Sequence, residues 1–161
     1  MGGTRRQLRT IADGVVRTSV ATHIRAPRDA VVALFLDYAR WPLVFPRTIE
    51  GVELVRRGAF ALDVMVRHRR DGLVPNVLTI RGPGVVELFE RKPRYDATFV
   101  NHFDLSGDGT RYRVDAEVRL GRPWSLLAPF LRGVVTRALR RYTLEPIRVA
   151  AERDAVAQEE Q

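Results

Sequence analysis

From Ile49 to Leu120 the chain reads as a series of short runs of extended, period-two pattern separated by bends. A period of two places every second side chain on the same face of an extended strand. The last segment is the cleanest: Tyr112, Val114, Ala116, Val118 and Leu120 share one side, and Arg111, Arg113, Asp115, Glu117 and Arg119 the other. Glycine or proline marks a bend at Arg57-Gly58, Arg70-Asp71-Gly72, Gly82-Pro83-Gly84, Lys92-Pro93 and Ser106-Gly107-Asp108-Gly109. The bends divide the run into strands near 49–57, 59–70, 75–82, 84–91, 94–105 and 110–120. Loops this short join antiparallel neighbours, and a sheet built from them is wet on one face and must be covered on the other.

The flanking segments supply the cover. Val16, Thr18, Val20, Thr22 and Ile24 alternate with Arg17, Ser19, His23 and Arg25, which predicts a first strand closed by Ala26-Pro27. Pro27 suits a helix start, where its missing N–H is no loss. The helix runs through DAVVALFLDYA until Trp41-Pro42 and Phe45-Pro46 break it. After Pro123, Leu127, Phe130, Leu131, Val134, Val135, Ala138, Tyr142 and Ile147 recur at helical spacing, with Pro129 and Pro146 expected to bend or interrupt the helix. Residues 14–153 form a single expected domain, with an arm over 1–13 and a frayed polar tail over 154–161.

A chain of 161 residues can bury about two-thirds of its surface, so a sizeable core is expected. No run approaches the ~18 apolar residues of a membrane span, and the N-terminus lacks the apolar centre of a secretion signal. Cysteine is absent, which removes disulfides, thiolate metal sites and a cysteine nucleophile and makes cytoplasmic the expected compartment. The net charge is +8, yet of 27 basic residues only Lys92 is a lysine, and the arginines are spread in small pairs such as Arg140-Arg141. That dispersion reads as a solvated basic surface more than a nucleic-acid footprint, and leaves acidic partners (nucleic acid, an anionic membrane, an acidic carrier protein) as the alternatives.

The order strand, broken helical pair, antiparallel strands, long helix resembles the START/Bet v 1-like helix-grip superfamily, in its polyketide cyclase/dehydrase-like branch. Ile24-Arg25-Ala26-Pro27, Asp37-Tyr38-Ala39-Arg40-Trp41-Pro42, Phe45-Pro46 and Val52-Glu53-Leu54 carry the resemblance, which covers about residues 14–153. It implies an α+β helix-grip fold: a curved antiparallel sheet of about seven strands wrapped around the C-terminal helix, with an apolar cavity between them. The Trp41–Pro46 segment, with Trp41 and Phe45, would close one end of that cavity.

Continuing each strand's inward parity gives the expected lining. One strand contributes Phe60, Leu62, Val64, Val66 and His68; another Tyr95, Phe99, Asn101 and Phe103; the last Tyr112 and Val114; the long helix Phe130, Val134 and Ala138. His68 and Asn101 are the polar exceptions, and a buried polar group must be hydrogen-bonded by protein or by ligand. Parity alone leaves the face of Arg81 open. Aromatase/cyclases of the tetracenomycin type carry a cavity arginine where this chain has Thr79-Ile80-Arg81, so the resemblance implies that Arg81 holds substrate carbonyls, a task a guanidinium fork suits. The same enzymes have a tyrosine shortly after the Trp-Pro segment, where this chain has Thr48.

Nothing else in the sequence forms a chemical constellation. His23, His68 and His102 are far apart, which does not suit a metal. Ser19, Ser106 and Ser125 occupy an outward strand position, a turn and a helix start, none of them a nucleophile elbow. Gly82-Pro83-Gly84 precedes no helix and is not a phosphate loop. No cofactor is expected. Three functions compete. In the first, a hydrophobic polyketide- or lipid-like molecule binds in the cavity and is cyclised or dehydrated, with Arg81 and His68 as catalytic residues and delivery on an acyl carrier protein. The second is a lipid or quinone carrier without chemistry. The third is a basic-surface protein that associates with nucleic acid or the ribosome.

Overall fold

The computed structural model describes residues 14–160. The arm expected over 1–13 lies outside them. The chain runs β1 (Val15–Ile24), α1 (Arg28–Leu36), a 3₁₀ turn (Tyr38–Arg40), α2 (Trp41–Val44), β2 (Ile49–Arg57), β3 (Ala61–His68), β4 (Gly72–Gly82), β5 (Val85–Arg91), β6 (Tyr95–Ser106), β7 (Gly109–Leu120), a 3₁₀ turn (Trp124–Leu127), α3 (Ala128–Leu139), a π turn (Arg140–Leu144) and α4 (Glu145–Glu159). All pairings are antiparallel, in the order β1-β7-β6-β5-β4-β3-β2. This is the helix-grip architecture that the resemblance implies.

The strands form where period two is sustained, and parity sets their faces. Val64 and Val66 of β3, Val74 and Leu78 of β4, Val86 of β5, Ala97 and Phe103 of β6 and Val114 of β7 are buried on the covered side. Pro42 does not end a helix; it occupies the first turn of α2, where its missing N–H leaves no bond unmade. Trp41 Nε1 donates to the Phe35 carbonyl at 2.9 Å, which folds α2 back under α1.

The long C-terminal helix is continuous through both prolines. Pro129 lies in the first turn of α3. Pro146 falls inside the helix, and the wider π turn immediately before it absorbs the missing hydrogen bond and the crowding of the ring. The helix also runs on to Glu159, past the point where a frayed tail is expected, because Arg40 clamps Asp154 at 2.8 Å and Ala155 packs against the core.

Two expected lining positions on the helix and one at a turn are corrected. Ala128, Leu131, Val135 and Leu139 take the face that packs on the sheet. Phe130 and Val134 belong to the outer flank of the same broad apolar stripe and are 79% and 62% exposed. Phe60 is 69% exposed because it sits in the β2–β3 turn, one residue before the alternation of β3 begins.

Candidate functional site

An aromatic row fills the interior where α1 and α2 meet strands β6 and β7. Phe45 meets Trp41 edge-on at 6.2 Å, Trp41 meets Phe35 at 6.2 Å, Phe35 meets Phe103 at 5.6 Å, and Phe103 stacks on Tyr112 at 4.7 Å. Leu62, Val64, Val66 and Val114 join the same continuous core. Asn101 is satisfied inside it: Nδ2 donates to the carbonyls of Val86 and Phe99 at 3.1 and 3.2 Å, and the Tyr112 hydroxyl donates to Oδ1 at 2.7 Å. Nothing there calls for a ligand.

Open volume lies beside this core. A groove of about 620 Å³ runs between α1 and the β4–β5 turn, lined by Val32, Ala33 and Leu36 on one wall, by Phe60, Ile80 and Gly82-Pro83-Gly84 on the other, and by Arg28, Asp29 and Arg81 at its rim. Helical spacing puts Val32 and Leu36 one turn apart on α1, where both are partly buried at the edge of the core and border the groove. Gly84 makes the opposite wall thin: its φ is +68°, and a β-carbon there would stand 2.5 Å from the Phe103 carbonyl oxygen. A smaller cleft of about 210 Å³ between α1 and α4 is crossed by the Arg40–Asp154 ion pair.

Arg81 is the extra residue of a β-bulge between Ile80 and Gly82. Ile80 keeps the inward parity, and Arg81 lies on the outer face over Glu87, its Nε and Nη2 donating to the carboxylate at 3.2 and 2.9 Å. Nη1 has no hydrogen-bond partner among the described residues. Phe60 and Arg81 are thus the two sequence-derived candidates that the fold brings to one groove.

His68 is elsewhere. It pairs with Gly72 at the start of β4, nine residues before Arg81 in the same strand, about 30 Å along it. The two candidate catalytic groups stand at opposite ends of the sheet and cannot reach one reacting centre.

Around His68 the inward faces assemble a polar cluster that sequence reasoning largely missed. Glu90 is only 7% exposed and lies opposite Asn76, which is 3% exposed. Lys92 Nζ stands 3.0 Å from Asp71 Oδ2, 3.6 Å from Glu90 Oε1 and 5.4 Å from the centre of the Tyr95 ring. Burial raises the Glu90 carboxyl above its ordinary range, against the pull of Lys92. Burial works against the Lys92 charge, but Glu90, Tyr95 and Asp71 outweigh it and hold the amine above its usual range. Burial, helped by Lys92, lowers His68 to about 4. His68 Nε2 and Asn76 Oδ1 are buried with no hydrogen-bond partner among the described residues. The signals were legible: Glu90 continues the parity of Val86 and Leu88, Asn76 that of Val74 and Leu78, and Lys92 is the single lysine.

The remaining candidates are dispersed. Tyr95 and Phe99 are half-buried against the core and Ala138 is half-buried, while Phe130 and Val134 point away from both grooves. No group of three His, Asp or Glu side chains among the described residues is placed to hold a metal.

Neither a protein-family model nor a curated protein matches the sequence. Solved structures do. A START superfamily protein from Mycobacterium smegmatis aligns over 85% of this chain and 97% of its own, with a TM-score of 0.67 and 14% identity. The Zhui aromatase/cyclase from Streptomyces sp. R1128 aligns over 86% of this chain and 94% of its own, with a TM-score of 0.68 and 15% identity. The di-domain aromatase/cyclase StfQ of the steffimycin biosynthetic pathway reaches a TM-score of 0.73 at 15% identity over 92% of this chain, which spans about half of that protein (54%). At these identities the likeness establishes the helix-grip fold alone.

Proposed function

We propose that this chain binds a hydrophobic small molecule, polyketide- or lipid-like, in the groove between α1 and the β4–β5 turn, and carries it without chemical change. The groove itself supports this reading best. Its volume, about 620 Å³, is that of small-molecule sites, its walls are Val32, Leu36, Phe60 and Ile80, and a guanidinium stands at the rim. Arg81 Nη1 is free to bond a carbonyl or carboxylate at the ligand's polar end.

Cyclisation of a poly-β-ketone is the second reading. The same arginine favours it, since the site could hold a carbonyl oxygen as charge develops on it. It needs a proton acceptor near the reacting methylene, and the His68 expected for that task is at the other end of the sheet. Carriage requires no such group.

Native mass spectrometry of the purified protein tests the proposal. The expected result is a co-purified apolar molecule that a Phe60→Ser, Ile80→Ser variant no longer retains. Retention by that variant, or failure of the parent to bind any hydrophobe at all, would overturn it. Conversion of a poly-β-ketone by the parent, lost in Arg81→Ala, would favour the second reading.

A further inference from the structure

The long helix has an apolar surface that neither the core nor the groove uses. Leu126, Phe130 and Val134 are spaced by four and form one row on its outer side, and Leu126 and Phe130 are 80% and 79% exposed. Leu127 and Trp124 extend the row toward the helix start, where the Arg94 guanidinium lies 5.6 Å from the Trp124 ring. Single exposed apolar side chains are ordinary, but a contiguous row on one helix is not.

The charge within that segment of the chain is of one sign. Residues 121–144 contain Arg122, Arg132, Arg137, Arg140 and Arg141 and no Asp or Glu. All five arginines are exposed. The ion pairs of the helix begin beyond them, where Arg148 meets Glu145 and Glu152. Elsewhere on the surface arginines are commonly matched, as Arg17 with Glu117 and Arg56 with Asp63.

The two features together select an occupant. A second copy of the chain placed on this face would set arginine against arginine, with no carboxylate in the segment to relieve the repulsion. A nucleic acid or an acidic protein would satisfy the guanidiniums and leave protruding leucine and phenylalanine without a use. An anionic bilayer takes both: phosphate headgroups at the level of the guanidiniums, and the apolar row in the boundary of the acyl chains. Tryptophan at the edge of such a face sits where indole rings favour the membrane–water interface. We propose that the outer face of the 3₁₀ turn Trp124–Leu127 and α3 is a docking surface for anionic lipid membrane. Attachment is peripheral, since no helix among the described residues is long and apolar enough to cross a bilayer. The inference stands independently of the groove and its ligand.

Sedimentation with vesicles tests it, using phosphatidylcholine alone and phosphatidylcholine mixed with phosphatidylglycerol. The full chain is expected to bind the mixed vesicles and not the neutral ones, and to be released by salt as the Debye length shrinks. Leu126→Glu with Phe130→Glu should abolish binding. Arg137→Glu with Arg141→Glu should weaken it about tenfold or more, from the loss and reversal of two charges at the surface. Circular dichroism and binding of 8-anilinonaphthalene-1-sulfonate in the groove should be unchanged in all variants. Equal binding to neutral vesicles, no binding to either kind, or parental binding by the Leu126/Phe130 variant would overturn the proposal. So would a concentration-dependent dimer that the same variant dissolves, in the absence of vesicle binding.

Discussion

The hydroxyl of Tyr112 donates to Asn101 Oδ1 at 2.7 Å in a fully buried part of the sheet, and the amide of Asn101 is spent on two backbone carbonyls. A polar pair on an apolar face can mark a ligand site or simply be complete, and this one is complete. Tyr112→Phe should therefore destabilise the fold by about 1–3 kcal/mol, the cost of stranding a buried acceptor. Binding of hydrophobes should not change. Urea denaturation measures the first and a binding titration the second.

Phe60 and Phe103 provide the converse contrast. Phe103 is buried between Phe35 and Tyr112, and Phe103→Ala should cost about 3–5 kcal/mol of stability. Phe60 is exposed at the groove, and Phe60→Ala should leave stability within about 0.5 kcal/mol. The same change should weaken a hydrophobic ligand by about 1–2 kcal/mol, the worth of a partly buried aromatic wall. Thermal melts and isothermal titration of both variants separate the two roles.

Arg81 and Glu87 make a prediction of opposite signs. Arg81→Gln should weaken an anionic hydrophobe severalfold and leave an uncharged one unaffected. Glu87→Gln releases Nε and Nη2 of Arg81 and should strengthen the anionic ligand. If a fatty acid and its alcohol respond identically in both variants, Arg81 is a surface ion pair and nothing more.

His68 makes stability depend on pH. Its folded pKa is lowered from 6.5 to about 4, so the neutral ring is the form the fold prefers. Its contribution is complete above about pH 6.5 and is lost as pH falls toward 4, where the folded state must also accept the proton. Because the ring is partly exposed, screening reduces the effect to about 1–2 kcal/mol. His68→Phe should remove that part of the slope, read as the difference between parent and variant denaturation midpoints from pH 7 to pH 4. Lys92 and Asp71 face the ring and remain in both proteins. Identical profiles would show that His68 is solvated at the rim.

The strands were legible because period two with glycine or proline at each bend has few other solutions, and β2 and β7 fall within a residue of their expected bounds. Side-chain destinations were legible only where the alternation was unbroken. At Phe60 it is extrapolated across a turn, and Arg81, the extra residue of a bulge, stays on the outer face it shares with Val77 and Thr79, opposite to the face that the resemblance implies. On the long helix eight apolar positions make a stripe wider than one contact face, so periodicity cannot say that Leu131 and Val135 enter the core while Phe130 and Val134 do not. The tail reads as polar because the contact that orders it, Arg40 with Asp154, joins residues more than a hundred apart.

The most direct measurement is a methyl-resolved NMR titration of the labelled protein with 8-anilinonaphthalene-1-sulfonate, an aromatic hydrophobe bearing one anion. Binding in the groove predicts saturable shifts concentrated at Val32, Leu36 and Ile80, with Leu126 and Val134 still. Shifts confined to the outer face of the long helix, or to buried Val64, Val66 and Val114, or no saturable shift at any of these methyls, would contradict it.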